Sequence, residues 1–129
     1  MKIAHVALWT RNLAAQQAFW CETFGGVSNA LYVSKNRPGF QSYFIELDDG
    51  PTLELMTIPE LHCGQHAEEL TGWAHIAVSV GTEQDVERLA ERAAQKGRLH
   101  SPPRRTGDGY YEAIIRDPDG NLIELVAED

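Results

Sequence analysis

The sequence predicts an α+β fold of two tandem βαβββ modules, and three observations carry that expectation. His5 and Glu54 stand 49 residues apart, as do His75 and Glu124, and one offset of 70 lays the first couple on the second. The same offset aligns Ala4-His5-Val6-Ala7-Leu8 with Ala74-His75-Ile76-Ala77-Val78, and Leu53-Glu54-Leu55-Met56 with Ile123-Glu124-Leu125-Val126. Asp49-Gly50 falls on Asp119-Gly120, so the offset holds at both ends without a gap. Two divergent copies of one unit are the economical explanation.

The elements follow in order. Residues 3–9 alternate, with Ala4, Val6 and Leu8 on one face and Ile3, His5, Ala7 and Trp9 on the other, as a strand requires. Asn12 caps a helix whose buried stripe is Ala14, Ala15, Ala18, Phe19 and Phe24, and Gly25-Gly26 ends it. Strands are expected over 27–34 and 40–47. The turn Asp48-Asp49-Gly50-Pro51 leads into a strand over 52–57, with Thr52, Glu54 and Met56 opposite in face to Leu53 and Leu55.

Residues 59–72 read as a connector between modules of about 1–58 and 73–129, which together make a single domain. In the second module 73–80 alternate like the first strand, and Thr82-Glu83-Gln84-Asp85 starts a helix with an acidic first turn. Val86, Leu89, Ala90 and Ala93 form its apolar stripe and Gly97 its C-cap. Strands near 98–105, 110–117 and 121–127 complete the plan, the last two joined by Pro118-Asp119-Gly120.

Composition narrows the function classes. A chain of 129 residues with 43% apolar and 23% charged content is typical of a folded domain, and a soluble, cytoplasmic protein is expected. No apolar run approaches the roughly 18 residues of a membrane span, and no signal peptide is read before Met1-Lys2-Ile3. Net charge of −8 with 11 Lys and Arg and no basic stripe argues against nucleic acid and for a small-molecule partner. Cys21 and Cys63 suggest neither a disulfide framework nor a redox pair.

The repeated couples carry the chemistry. Imidazole nitrogen and carboxylate oxygen suit a divalent ion such as Zn, Ni, Co, Mn or Fe. Packing can preserve apolar positions through a duplication, but it does not require His and Glu twice on the polar face. His5, Glu54, His75 and Glu124 are therefore read as one metal-ligand set. His62, Cys63 and His66 form a second group that reads as exposed connector, and His100 has no evident partner.

These residues resemble the vicinal oxygen chelate superfamily, which contains glyoxalase I, extradiol dioxygenases, epimerases and the bleomycin and fosfomycin resistance proteins. The marks are the two Ala-His-(Val/Ile)-Ala starts, the Asp117-Pro118-Asp119-Gly120-Asn121 turn, and Leu53-Glu54-Leu55 with Ile123-Glu124-Leu125. The resemblance covers essentially the whole chain and implies a cupped mixed sheet around one metal. A His, Glu, His, Glu series is most similar to glyoxalase I, a lyase acting on the glutathione hemithioacetal of methylglyoxal. The alternatives are a metal-dependent dioxygenase or epimerase, or a ligand-sequestering protein. Glu54 separates them, because the dioxygenases have no ligand there and the epimerases usually have Gln.

By the same resemblance Glu124 and Glu54 are catalytic as well as ligands, with Glu124 the first choice of base. A homodimer is implied, with the site either within one chain or shared between two. Glutathione as co-substrate would need cationic clamps, for which Arg11, Asn12, Lys35, Arg37, Arg104 and Arg105 qualify, Arg11 being best placed. Trp9, Met56, Tyr110 and Tyr111 are candidates for an apolar floor. The loop from Thr106 to Glu112 is acidic and aromatic where a glutathione-binding loop would be basic.

Overall fold

A computed structural model describes residues 1–64 and 69–128. The chain divides into two compact units, Met1–Gly64 and Gln65–Asp129. The first unit holds β1 (His5–Trp9), α1 (Leu13–Phe24), β2 (Val27–Ser28), β3 (Tyr32–Val33), β4 (Gln41–Glu46) and β5 (Thr52–Thr57). Its sheet runs β1-β5-β4-β2, with β3 also paired to β4, and β1 lies parallel to β5.

Alternation along the strands gives this sheet two faces. Leu53, Leu55 and Ile45 are buried on the face that α1 covers, joined by the buried Phe19 and Trp20. The expected helix stripe is corrected here. Ala14 and Ala18 are exposed, and the buried side chains of α1 are Gln16, Phe19 and Trp20. Gln16 belongs inside because its amide oxygen accepts the indole N–H of Trp20 at 3.1 Å, which satisfies both polar groups away from water. Trp20 in turn packs against Phe19 and Phe24, with ring centroids at 5.6 and 5.1 Å.

The ends of α1 follow the sequence. Asn12 accepts the Ala15 N–H at 3.0 Å, and Gly25 closes the helix at φ 68°. Gly26 is required by space, since a Cβ there would come within 2.5 Å of an Ile45 methyl. The strand expected over 27–34 is broken into two short pieces. Asn29 causes the break: its backbone bonds to the Phe44 carbonyl while its side chain takes the Phe44 N–H at 2.8 Å.

The second unit holds β6 (His75–Gly81), α2 (Glu83–Gln95), β7 (Leu99–Arg105), β8 (Tyr111–Arg116) and β9 (Leu122–Ala127). Its sheet order is β6-β9-β8-β7, with β6 parallel to β9. Thr82 and Asp85 form a reciprocal capping box, and Val86, Leu89, Ala90 and Ala93 are the buried stripe. The C-cap falls on Lys96, and Gly97 follows it at φ 71°. Pro102 and Pro103 lie in β7, an edge strand whose register shifts around them, where a missing N–H is tolerated. Asp117 builds the last turn, one carboxylate oxygen accepting the N–H groups of Asp119 and Asn121 at 2.9 Å each.

Candidate functional site

The second unit brings its predicted couple together. His75 opens β6, and the parallel register sets Ala77 beside Glu124, so both side chains rise from the face opposite α2. His75 Nε2 lies 3.2 Å from Glu124 Oε2, with the side chains 41% and 17% exposed. Two donors about 2.1 Å from one ion and at right angles to each other stand about 3 Å apart, so this pair has the spacing of shared ligands.

A third carboxylate joins this pair, and the sequence reading missed its role. Glu112 on β8 lies opposite Val126 on β9, which places it on the Glu124 face and one diagonal step away. Glu112 and Glu124 are thus acidic neighbours across the β8–β9 pair. Behind Glu112, Arg104 on β7 is its direct cross-strand partner, with a guanidinium nitrogen 3.9 Å from the carboxylate. Arg104, Glu112, Glu124 and His75 thus form a row following the strand order β7-β8-β9-β6. The signal was available, because the Asp117–Asn121 turn fixes the β8–β9 register and alternation then puts Glu112 on this face.

That contact pushes the Glu112 carboxyl up to about 7 from an ordinary 4.5, first through the hydrogen bond to Glu124, then through burial and the Glu124 charge; Arg104 opposes the shift. The folded chain therefore binds this proton more tightly than the unfolded chain does. The associated stability is present below about pH 4.5 and is lost as pH rises through about 7. Urea unfolding of the metal-free protein is expected to show this decline, and Glu112→Gln to flatten it. An unchanged slope in the variant would refute the assignment.

The first unit repeats the register without repeating the contacts. His5 pairs with Thr52 and Ala7 with Glu54, matching His75 with Leu122 and Ala77 with Glu124 at the offset of 70. The His5 ring meets Phe44 edge-on, centroids 6.3 Å apart, and Phe44 is the cross-strand partner of Glu54. Glu54 makes no hydrogen bond or ion pair among the described residues. The position matching Glu112 is Ser42, which is 1% exposed with a hydroxyl that lacks a partner among the described residues.

The proposed floor residues divide. Trp9 and Met56 are direct neighbours on the His5 and Glu54 face, and Arg37 stacks over Trp9 and Phe40 at 5.8 and 5.7 Å. Tyr111 is corrected: it lies on the α2 face, where its hydroxyl donates to Glu87 at 2.8 Å, so it does not join His75 and Glu124. Tyr110 is exposed in the loop before β8. Arg11 is held by the Leu61 carbonyl at 2.8 Å, Asn12 by its capping role, and Arg105 by Glu83. His100 does have a neighbour, with its Nδ1 2.6 Å from Arg116 Nη2. His62 and Cys63 are exposed, and His66 lies outside the described residues.

Among the described residues no group of three or more His, Cys, Asp and Glu side chains is arranged to hold a metal ion. Of the two couples, only His75 and Glu124 are in contact among the described residues. Nor is any helix among them long and apolar enough to cross a membrane.

The fold is shared with known structures. A glyoxylase/bleomycin resistance protein/dioxygenase domain from Frankia sp. EAN1pec superposes with a TM-score of 0.83 at 19% identity, covering 100% of this chain and 93% of that one. The trypanothione-dependent glyoxalase I of Leishmania major gives 0.77 at 20% identity, covering 99% and 87%. A possible glyoxalase from Bacillus cereus gives 0.70 at 24%, covering 98% of each. Comparison with curated proteins by sequence gives no match. The family model for the Glyoxalase/Bleomycin resistance protein/Dioxygenase superfamily matches residues 2–125, and with the paired βαβ units in register this chain belongs to that superfamily.

Proposed function

We propose that this protein is a metal-dependent lyase or isomerase acting on a small substrate with adjacent oxygens. Its first candidate substrate is the methylglyoxal–glutathione hemithioacetal. The observation that carries this reading is the 3.2 Å approach of His75 Nε2 to Glu124 Oε2, on a strand register that His5 and Glu54 reproduce. His5, Glu54, His75 and Glu124 supply the ligand set, whether from one chain or from two copies in a homodimer of the cytoplasm.

A bound divalent ion would act as a Lewis acid toward the substrate oxygens and make the neighbouring C–H more acidic. The protein supplies the rest. A glutamate carboxylate takes the proton from one carbon and returns it to the next, a role open to Glu124 and Glu54. Trp9 and Met56, beside Glu54, offer apolar surface that holds substrate and excludes water. Arg37 stands near enough to Trp9 to meet a substrate carboxylate. The ion is one of Ni, Co, Zn, Mn or Fe.

The test is elemental analysis of purified protein, followed by hemithioacetal turnover with each metal restored to metal-free protein. Stoichiometric metal with turnover supports the proposal. Metal with oxygen consumption and no isomerisation would move the assignment to a dioxygenase. Protein that takes up none of these ions would end the catalytic reading and favour ligand sequestration.

A further inference from the structure

We infer that the face of the first sheet opposite α1 selects the substrate, taking a small organic acid whose aromatic body lies on Trp9 and whose carboxylate pairs with Arg37. The inference deepens the reading above by naming its substrate class, and rests on it for the chemistry. Trp9, Met56 and Ser42 form one row across β1, β5 and β4, on the face that carries His5 and Glu54. Trp9 is 43% exposed, and Phe40 stands edge-on to it with centroids 6.1 Å apart. The Arg37 guanidinium lies 5.8 Å from the Trp9 ring and 5.7 Å from Phe40.

Arg37 is held in place, yet its charge is unmet. Its N–H donates to Ser34 Oγ at 3.0 Å, its carbonyl accepts the Phe40 N–H at 3.1 Å, and the Ser34 N–H donates to the Phe40 carbonyl, so residues 34–40 form a closed turn. No carboxylate lies within ion-pair reach of the guanidinium among the described residues. In a chain with 19 acidic and 11 basic residues, that is not for want of acids. Aromatic rings attract a guanidinium and leave its planar N–H fork free to take a carboxylate with two bonds. Ser42, in the same row, is a second unmet group. It is 1% exposed and its hydroxyl reaches no partner among the described residues, a cost of about 1–3 kcal/mol that a polar ligand atom would offset.

The duplication sets these residues apart. At the offset of 70, Trp9 falls on Ser79, Met56 on Val126, Ser42 on Glu112 and Arg37 on Gly107, whereas His5 and Glu54 keep their identities. The proposed ligands are common to both units, and the aromatic, cationic surface belongs to the first alone. A part that recognises one end of an asymmetric substrate is needed once.

Calorimetric titration of the metal-free protein with 3-phenylpropanoate and with its neutral amide tests this without turnover. The parent should bind the acid at least about tenfold more tightly than the amide, the worth of one charge-assisted contact. Arg37→Gln should erase that preference and leave amide binding unchanged, while Trp9→Ala should weaken acid and amide by a similar factor. Circular dichroism confirms that both variants fold. Equal binding of acid and amide by the parent, no binding of the acid, or a preference that survives Arg37→Gln would overturn the inference. Hemithioacetal turnover alongside any of those results would leave the lyase reading standing without this one. Selective acid binding by a protein that takes up no metal would keep the acid site and end the reaction proposed for it.

Discussion

Trp20→Ala is expected to destabilise the first unit by about 3–5 kcal/mol. Trp20 is 1% exposed and packs against Phe19 and Phe24, so its removal opens a cavity of indole size beneath the sheet. Aromatic-to-alanine changes in cores cost about 3–5 kcal/mol, and total stabilities run about 5–15 kcal/mol. Gln16 adds to the loss, because its buried amide oxygen is deprived of the indole N–H. Thermal unfolding followed by circular dichroism would check this, with Ala14→Ser on the exposed side as a control expected to shift little. A Trp20→Ala protein as stable as the parent would show that the α1 core is misassigned.

Glu124→Gln is expected to weaken divalent metal binding by at least ~10²-fold, beyond the 10- to 100-fold typical of outer residues, and to abolish turnover. The amide is neutral, so it loses the charge that favours a cation. Cobalt titration of metal-free protein gives the affinity directly. Retention of parental affinity would remove Glu124 from the ligand set, whatever happened to the rate.

The strands and second helix were legible because their patterns are strong. Val86, Leu89, Ala90 and Ala93 can face only one way on a helix otherwise rich in charge. The first helix misled because alanine is small enough to sit on either face, while the buried polar residue, Gln16, is explained by a partner four residues on. The break at Asn29 was hidden for a similar reason: a side chain that imitates a strand hydrogen bond leaves no mark in hydropathy.

At the candidate site, the couples were visible through repetition, whereas Glu112 occurs once and has Ser42 as its counterpart. Glu112 has no glutamate at its repeat position, so the duplication does not mark it. Tyr111 was misplaced by one step of alternation, since the register that sets Glu112 on the Glu124 face turns its neighbour to the α2 face, where Glu87 is in reach.

The parallel pairing of β1 with β5 and of β6 with β9 also sets the order of events when the chain folds. Each couple joins the first strand of its unit to the last, across a helix and the intervening strands. Such contacts have high sequence separation, and closing them costs chain entropy that only the completed unit recovers. His5 cannot lie beside the Glu54 strand, nor His75 beside Glu124, in a half-formed module. Either couple is therefore a product of folding rather than its seed, and an ion recruited by it would recognise a finished unit.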